Sequence, residues 1–365
     1  MSGKKILYGV CGIGNGHTQR QLPLIEHFAG RHTIVIFAYD SSYAFYANHF
    51  DNHPSVTVVE VAVPFYVGSK DGIDFEATEQ LPRNQKDFAG INAKAKAMAK
   101  ELIGTPDLVI SDYEPICAEY AYEHGAPLIT IDQQSKYLAG DFPQELHGLT
   151  YADEVARLKL FFPTAACRIA CSFFDVRKKE GGDDVLMLPS ILSDSVVTMK
   201  NVPSEPREFL VYFSSQQVFP QSLEEVVQLC ETEGAIFHIF APDIAGRQGN
   251  EMVHLYSHGA PQFKEILARC SGIISTAGHT LLSEAMSLGI PVYALPLPLY
   301  EQQMNAEVIQ ANGFGISANR IDGENLRQFV SSVGQYREAI RADRDILLRG
   351  NGKTLVVEHI ERFYL

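Results

Sequence analysis

Two stretches of the chain carry residue types at spacings that could do chemistry. The first is GVCGIGNGHTQRQLPLIEHF, residues 9–28, in which four glycines, the histidine His17 and an arginine follow an apolar run. Glycines after a strand allow a ligand to approach the backbone closely. A helix starting at His17 would bring free N–H groups and partial positive charge to the same spot. Such a helix end favours a neutral imidazole, so His17 is expected to act as a base near pH 7. That His17 merely caps the helix is the plainer reading, in a chain with 12 histidines.

The second stretch is GIISTAGHTLLSEAMSLGIPVYALPLPLYEQQMNAEVIQANGFGI, residues 272–316. A strand ends there at Ser275–Thr276, and Gly278 opens a helix whose first N–H groups suit a pyrophosphate. Glu284, further along that helix, could accept bonds from vicinal ribose hydroxyls. Pro296 and Pro298 mark a loop before Glu301, Gln302 and Gln303, whose side chains suit sugar hydroxyls. An ordinary α/β turn with polar surface residues would read the same way in isolation.

Two other chemistries fit less well. A dinucleotide loop needs G-x-G-x-x-G and an acid some 20 residues on. Gly12 and Gly14 fit its first two positions and Asp40 could supply the acid, but His17 occupies the third. No GxxxxGK[ST] occurs, which argues against a P-loop nucleotidase. The single D-x-D, Asp343–Asp345, falls in an expected C-terminal helix and reads as a solvated face rather than a metal site; no metal ligands are expected.

The elements that position these residues alternate regularly. Apolar runs at 4–10, 32–39, 55–63, 106–112, 126–132 and 167–174 read as strands, with helices at 17–30, 84–104 and 115–125. A less regular middle runs from 133 to 185. Strands at 208–214, 235–241, 271–276 and 290–297 then alternate with helices at 222–234, 262–270, 279–289 and 302–313, and helices fill the tail. Strands apolar throughout and separated by helices mean parallel sheets covered on both faces. The expected fold is therefore α/β, two tandem doubly wound Rossmann-like domains facing a central cleft. Residues 1–185 form the first, 186–345 the second, and 346–365 a C-terminal helix packing back on the first. Ligands of such sheets bind at the carboxyl ends of the strands.

Composition sets the outer bounds. With 365 residues, 46% hydrophobic and 20% charged, the chain is of ordinary globular type, and its net charge of −14 argues against a nucleic-acid partner. The six cysteines form no CxxC pair and read as buried reduced thiols of a cytoplasmic protein. Neither a secretory signal nor a membrane-spanning run is expected, although peripheral contact with a membrane stays open. Aromatic residues at 39–50 and 64–75 could serve an acceptor or a membrane surface; one buried helix face formed by Tyr43, Phe45, Tyr46 and Phe50 explains the first group more simply. Lys94, Lys96 and Lys100 could touch anionic lipid or be merely solubilising.

The segment TAGHTLLSEAMSLGIPV…P…EQQMNA resembles the donor-binding signature of nucleotide-sugar glycosyltransferases with the GT-B fold. It is similar in style to the N-acetylglucosaminyltransferase that forms lipid II and, more distantly, to the UDP-glycosyltransferases of plants and animals. GIGNGHTQR and DLVISDYEP resemble, respectively, the loop that carries these enzymes' acceptor-side histidine and the strand whose aspartate pairs with it. The resemblance implies a base at His17 oriented by Asp112. It implies diphosphate contacts from Gly278, His279 and Thr280, with Ser214 and Ser215 near the phosphates and Gly14 and Gly16 lining the donor side. It further implies a ribose contact from Glu284 and sugar contacts from Glu301, Gln302 and Gln303. The activity implied is inverting, metal-independent transfer from a nucleotide-diphosphate sugar, UDP-sugar favoured, to a glycan, glycolipid or small-molecule acceptor, with no cofactor beyond that co-substrate. Thr276 stands where many of these enzymes have histidine, Glu301 where they often have aspartate, and the chain has no tryptophan for base stacking. A nucleotide-sugar 2-epimerase and a non-catalytic nucleotide-sugar-binding protein are the competing readings; a dinucleotide oxidoreductase comes after them.

Overall fold

The computed structural model describes residues 3–182, 184–213, 221–242, 244 and 249–365. The chain divides into two compact units, one of residues 1–145, 150–193 and 350–365 and one of residues 146–149 and 194–349.

The first unit is built on seven parallel strands. In chain order they are β1 (Lys5–Val10), β2 (Thr33–Ala38), β3 (Val56–Glu60), then, after a short antiparallel hairpin of β4 (Val67–Ser69) and β5 (Gly72–Asp74), β6 (Leu108–Asp112), β7 (Leu128–Asp132), β8 (Cys167–Ser172) and β9 (Val185–Pro189). Their spatial order is β3-β2-β1-β6-β7-β8-β9. The strands are apolar on both faces because both are covered. Ile6, Tyr8 and Val10 enter one core cluster with Leu24, Ile25 and Phe28, while Leu7 enters another with Val35, Val109 and Cys117. The Gly352–Phe363 helix belongs to this unit, with Val356, Val357 and Ile360 in the first of these clusters.

The second unit carries six parallel strands, β10 (Glu208–Tyr212), β11 (Ile236–Ala241), β12 (Val253–Ser257), β13 (Gly272–Ser275), β14 (Val292–Ala294) and β15 (Gly315–Ser317). Their order is β12-β11-β10-β13-β14-β15. In both sheets the chain starts in the middle, winds to one edge, and returns to wind the other way. The reversal falls between β1 and β6 in one sheet and between β10 and β13 in the other, and such switch points open crevices beyond the strand ends.

Several boundaries differ from the sequence reading. The first helix is Asn15–Ala29, so His17 is its third residue rather than its first. The expected 84–104 helix begins at Phe88, where the Asp87 carboxylate caps the N–H of Gly90. Asp343 is not helical: the Gly323–Ala342 helix ends before it, and its carboxylate accepts from the N–H groups of Ile346 and Leu347. In the aromatic 39–50 segment, Tyr46 and Phe50 are buried and Tyr43 and Phe45 pack against the same core. Lys96 donates to the carboxylates of Glu119 and Glu123. All six cysteines are free, and five are buried. Among the described residues no helix is long and apolar enough to cross a membrane.

Candidate active site

The switch point of the first sheet is where the chemistry collects. Val10 at the end of β1 lies in register with Asp112 at the end of β6. Beyond Val10 the chain turns tightly into the helix. A side chain at Gly12 would sit 2.0 Å from the Tyr39 carbonyl oxygen, and Gly14, which precedes the helix, has φ of +76°. Glycine is the residue that meets both demands. Gly14 is thus required by the turn itself, and Gly16 is the second residue of the helix.

That turn aims His17 back at β6. His17 Nδ1 lies 3.0 Å from Asp112 Oδ2, and Asp112 is fully buried. One helical turn on, Arg20 shares the same face, as residues three apart do. Its Nη2 donates to Asp112 Oδ1 at 2.8 Å and Oδ2 at 3.0 Å, and stands 2.9 Å from His17 Nδ1. Burial opposes the Asp112 charge, but Arg20 and His17 outweigh it and hold the carboxyl below its usual range. Burial also works against a charged His17, yet the Asp112 carboxylate prevails and pushes the imidazole up to about 10. This corrects the expectation of a neutral ring. A helix end carries roughly half a charge, whereas Asp112 places a full one against Nδ1 in a setting shielded from water. Raised in this way, the ring favours its protonated form at neutral pH, with Nδ1 the nitrogen that faces Asp112 and Arg20.

The surroundings hold this trio rigidly. Tyr46 donates to the Thr18 carbonyl, and Tyr8 donates to Gln21 Oε1, whose amide in turn donates to the carbonyl of Ile131. Tyr113 follows Asp112 with φ of +58°, an uncommon conformation for a bulky residue and one that concentrates at functional sites. Its ring stacks near that of His17, centroids 6.4 Å apart, and its hydroxyl accepts from Arg157 Nε. Arg20 and Tyr113 are the residues sequence reasoning missed here. The three-residue spacing from His17 signals Arg20; the strained backbone of Tyr113 has no counterpart in residue type. Asp40, weighed above as a ribose acid, starts the Asp40–His49 helix and pairs with Arg83 on the surface.

In the second unit, β13 ends at Ser275 and the His279–Leu288 helix starts behind Gly278, an N-cap residue that has no side chain of its own to cap it. The backbone at Gly278 has φ of −69°, and a Cβ there would meet nothing within 4 Å. Neither conformation nor packing demands this glycine. His279 is buried; Thr280 and Glu284 are partly exposed. Burial pushes the Glu284 carboxyl up to about 7, against a small opposing effect of Lys264. Asn305, fully buried in the Tyr300–Ala311 helix, donates to the Ala277 carbonyl at 2.9 Å and ties that helix to the turn. Gln302 and Gln303 sit on the same helix. Gln302 Oε1 accepts from Leu297 N–H and Gln303 Nε2 donates to Leu297 O, so both brace the Pro-rich loop, with Glu301 partly exposed beside them. Ser214 and Ser215 lie outside the described residues. Tyr212, at the end of β10 and in register with Ser275, stacks on His258 with centroids 5.0 Å apart.

Comparison with known proteins places this arrangement. The family model described as glycosyl transferase family 1 matches residues 4–334, so the chain belongs to that family and is a glycosyltransferase. Among curated proteins, none matches the chain by sequence. Solved structures share the GT-B fold at low identity. Phytolacca americana UGT2, complexed with UDP-2fluoro-glucose and pterostilbene, is 15% identical with a TM-score of 0.64, covering 99% of each chain. Arabidopsis thaliana UGT89C1, complexed with UDP-L-rhamnose, is 12% identical with a TM-score of 0.65, covering 100% of each. The calicheamicin glycosyltransferase CalG4 is 17% identical with a TM-score of 0.62, covering 99% of this chain and 98% of its own.

Proposed function

We propose that this glycosyltransferase transfers a sugar with inversion, and without a metal ion, from a nucleotide-diphosphate sugar to an acceptor hydroxyl. The observation that carries the reading is the buried His17–Asp112 pair at the switch point of the first sheet. The acceptor O–H gives its proton to Nε2 of neutral His17 as its oxygen forms a bond to the anomeric carbon. The bond from that carbon to the diphosphate oxygen breaks, and the electron pair leaves with the nucleotide diphosphate. Asp112 holds the imidazolium that results and fixes the Nδ1–H tautomer, as the acid does in a serine hydrolase triad. A single displacement of this kind inverts the anomeric centre.

The donor is assigned to the second unit. The start of the helix behind Gly278 offers the partial positive charge that suits a diphosphate, and the open space at Gly278 is what a ligand close to the backbone requires. Leaving-group charge met by a helix N-terminus needs no cation in principle. Glu284 takes the ribose hydroxyls, Thr280 and His279 assist at the phosphates, and Glu301, Gln302 and Gln303 read the sugar once the glutamines leave Leu297. In a chain without tryptophan, the Tyr212–His258 pair is the aromatic surface for the base. UDP-sugars are favoured as donors, in keeping with the UDP-sugars bound by two of the structural relatives, and a small-molecule, glycan or glycolipid hydroxyl is the acceptor.

The test is a thermal-shift panel of nucleotide sugars, followed by incubation of the best donor with phenolic and saccharide acceptors. The reading expects product only when acceptor is present, with the anomeric configuration opposite to the donor's. Retained configuration would remove the base role of His17, and conversion of the donor sugar without acceptor would favour the epimerase.

A further inference from the structure

Arg20 has no part in the proton transfer just described, yet it stands inside the pair that performs it. Its Nη2 lies within 3.0 Å of both Asp112 oxygens and 2.9 Å from His17 Nδ1. These contacts cannot all be hydrogen bonds at once. Nδ1 offers a proton or a lone pair, not both. If Nδ1–H donates to Asp112, it faces a second donor on Arg20. If Nδ1 accepts from Arg20, its lone pair points away from Asp112 and the proton is on Nε2. The arginine is 5% exposed, so water does little to dilute its charge, and its Nε–H is buried without a partner among the described residues.

We propose that Arg20 is a positioning residue that shares the Asp112 carboxylate with His17, so that the imidazole meets only part of that negative charge. A carboxylate that faced the ring alone would favour the imidazolium more strongly than one shared with a second cation. A cation on the same carboxylate, against the same ring nitrogen, makes the imidazolium easier to deprotonate. Arg20 does act on His17 in that direction, opposing Asp112 and Cys11. Other titratable groups face the trio from every side: Tyr8 and Cys11 from the β1 segment, Tyr46 from the Asp40–His49 helix, Tyr113 beyond β6, Asp132 from β7 and Cys171 from β8. Arg20 is the one cation among them, and this role rests on the reading of His17 as the base.

The experiment compares wild type with Arg20→Gln, each labelled with ¹⁵N-histidine, by following the ring nitrogens of His17 over pH. Near pH 10 wild-type His17 should be about half neutral. In Arg20→Gln the neutral fraction at that pH should fall by about tenfold, and the acid limb of the kcat/KM profile should move up in step. An unchanged or downward titration overturns the proposal, whatever the activity. An upward titration with an unmoved kcat/KM limb upholds charge sharing and removes His17 as the base, so the two failures stay distinct. Should Arg20→Gln not fold, Arg20→Lys serves, because the shorter cation reaches one oxygen at most. A smaller upward movement supports the proposal, and no movement in that folded variant overturns it.

Discussion

Asp112 and His17 are 95 positions apart in the chain, and the carboxylate Oδ2 of one lies 3.0 Å from the Nδ1 of the other. The contact exists because β1 and β6 are neighbours at the point where the sheet reverses its winding, and because the Gly12–Gly14 turn folds the helix start back over the strand ends. The orienting acid therefore ends one of the two strands that flank the crevice, and the base sits on the helix that follows the other. Replacing His17 by Ala should lower transfer by about 10² to 10⁴-fold while leaving donor affinity nearly intact. Turnover measured beside calorimetric titration of the donor separates the two effects; near-normal turnover would end the assignment.

The protonation state of the pair gives a pH profile with a definite sign. A base held at about 10 is active only in its neutral form, so kcat/KM should rise about tenfold per pH unit from neutrality and level off near pH 10. Stability runs the other way. His17 is raised above its unfolded value, so its contribution is complete below about pH 6.5 and is lost as pH climbs through about 10. Asp112 is lowered, so its contribution is present above its unfolded value near 4 and is lost in stronger acid. Urea midpoints of wild type and His17→Ala should converge as the pH approaches 10 from 7. A constant gap would mean that the ion pair does not stabilise the fold.

Asp112→Asn should move activity and stability in different ways. Without the carboxylate, burial and the Arg20 charge both act against the imidazolium, so His17 loses its proton far more readily and the acid limb of kcat/KM shifts down. The plateau falls, because the imidazolium formed in the reaction loses its partner. Arg20 is left as an unpaired buried cation, which costs on the order of 3–5 kcal/mol of folding stability. Chemical denaturation and the pH profile read the two effects separately. A limb that stays near pH 10 in this variant would show that Asp112 is not what raises His17.

How much of this was legible in the sequence depends on how far each effect reaches along the chain. β1, β6 and β13 could be read because strands buried on both faces are apolar runs that end where the chain meets a polar group, as at Asp112 and Ser275. β12 was not read: in VHLYS, His254, Leu255 and Tyr256 are only partly buried and lack that unbroken pattern. His17 was expected to be neutral because a helix end is a local feature, whereas the carboxylate that outweighs it arrives from β6. Arg20 received no role in the sequence for the same reason, since the carboxylate it bonds also arrives from β6. Gly14 and Gly278 look alike as letters. Only their backbone angles separate a glycine the turn requires from one that leaves room.

That distinction yields a direct test. Gly278→Val puts a side chain into space that no described residue enters within 4 Å of its Cβ, at a φ any residue adopts. The variant should melt within a few degrees of wild type, since surface changes away from packed or strained positions cost about 0.5 kcal/mol or less. It should lose the upward shift in melting temperature that nucleotide sugars give the wild-type protein. If the shift survives, the diphosphate does not sit at this helix start.

Glu284 sets function against stability in a way that can be measured. Its carboxyl is pushed up to about 7 by burial on the His279–Leu288 helix, with only Lys264 acting against that. For an acid raised above its unfolded value near 4.3, the fold favours the protonated form. Its contribution is complete below that value and is lost as pH rises through about 7, after which the poorly solvated charge is a net cost. A glutamine keeps the shape and removes the charge. Glu284→Gln should therefore be more resistant to urea than wild type at pH 8 and about equal to it at pH 4. The same change should weaken binding of a ribonucleotide diphosphate sugar by about tenfold or more, because an amide accepts hydroxyl bonds less strongly than a carboxylate. A 2′-deoxyribose donor, with one hydroxyl fewer for the carboxylate to hold, should feel the substitution much less. Equal losses for both donors would detach Glu284 from the ribose, and no gain in stability at pH 8 would mean that its charge is not buried.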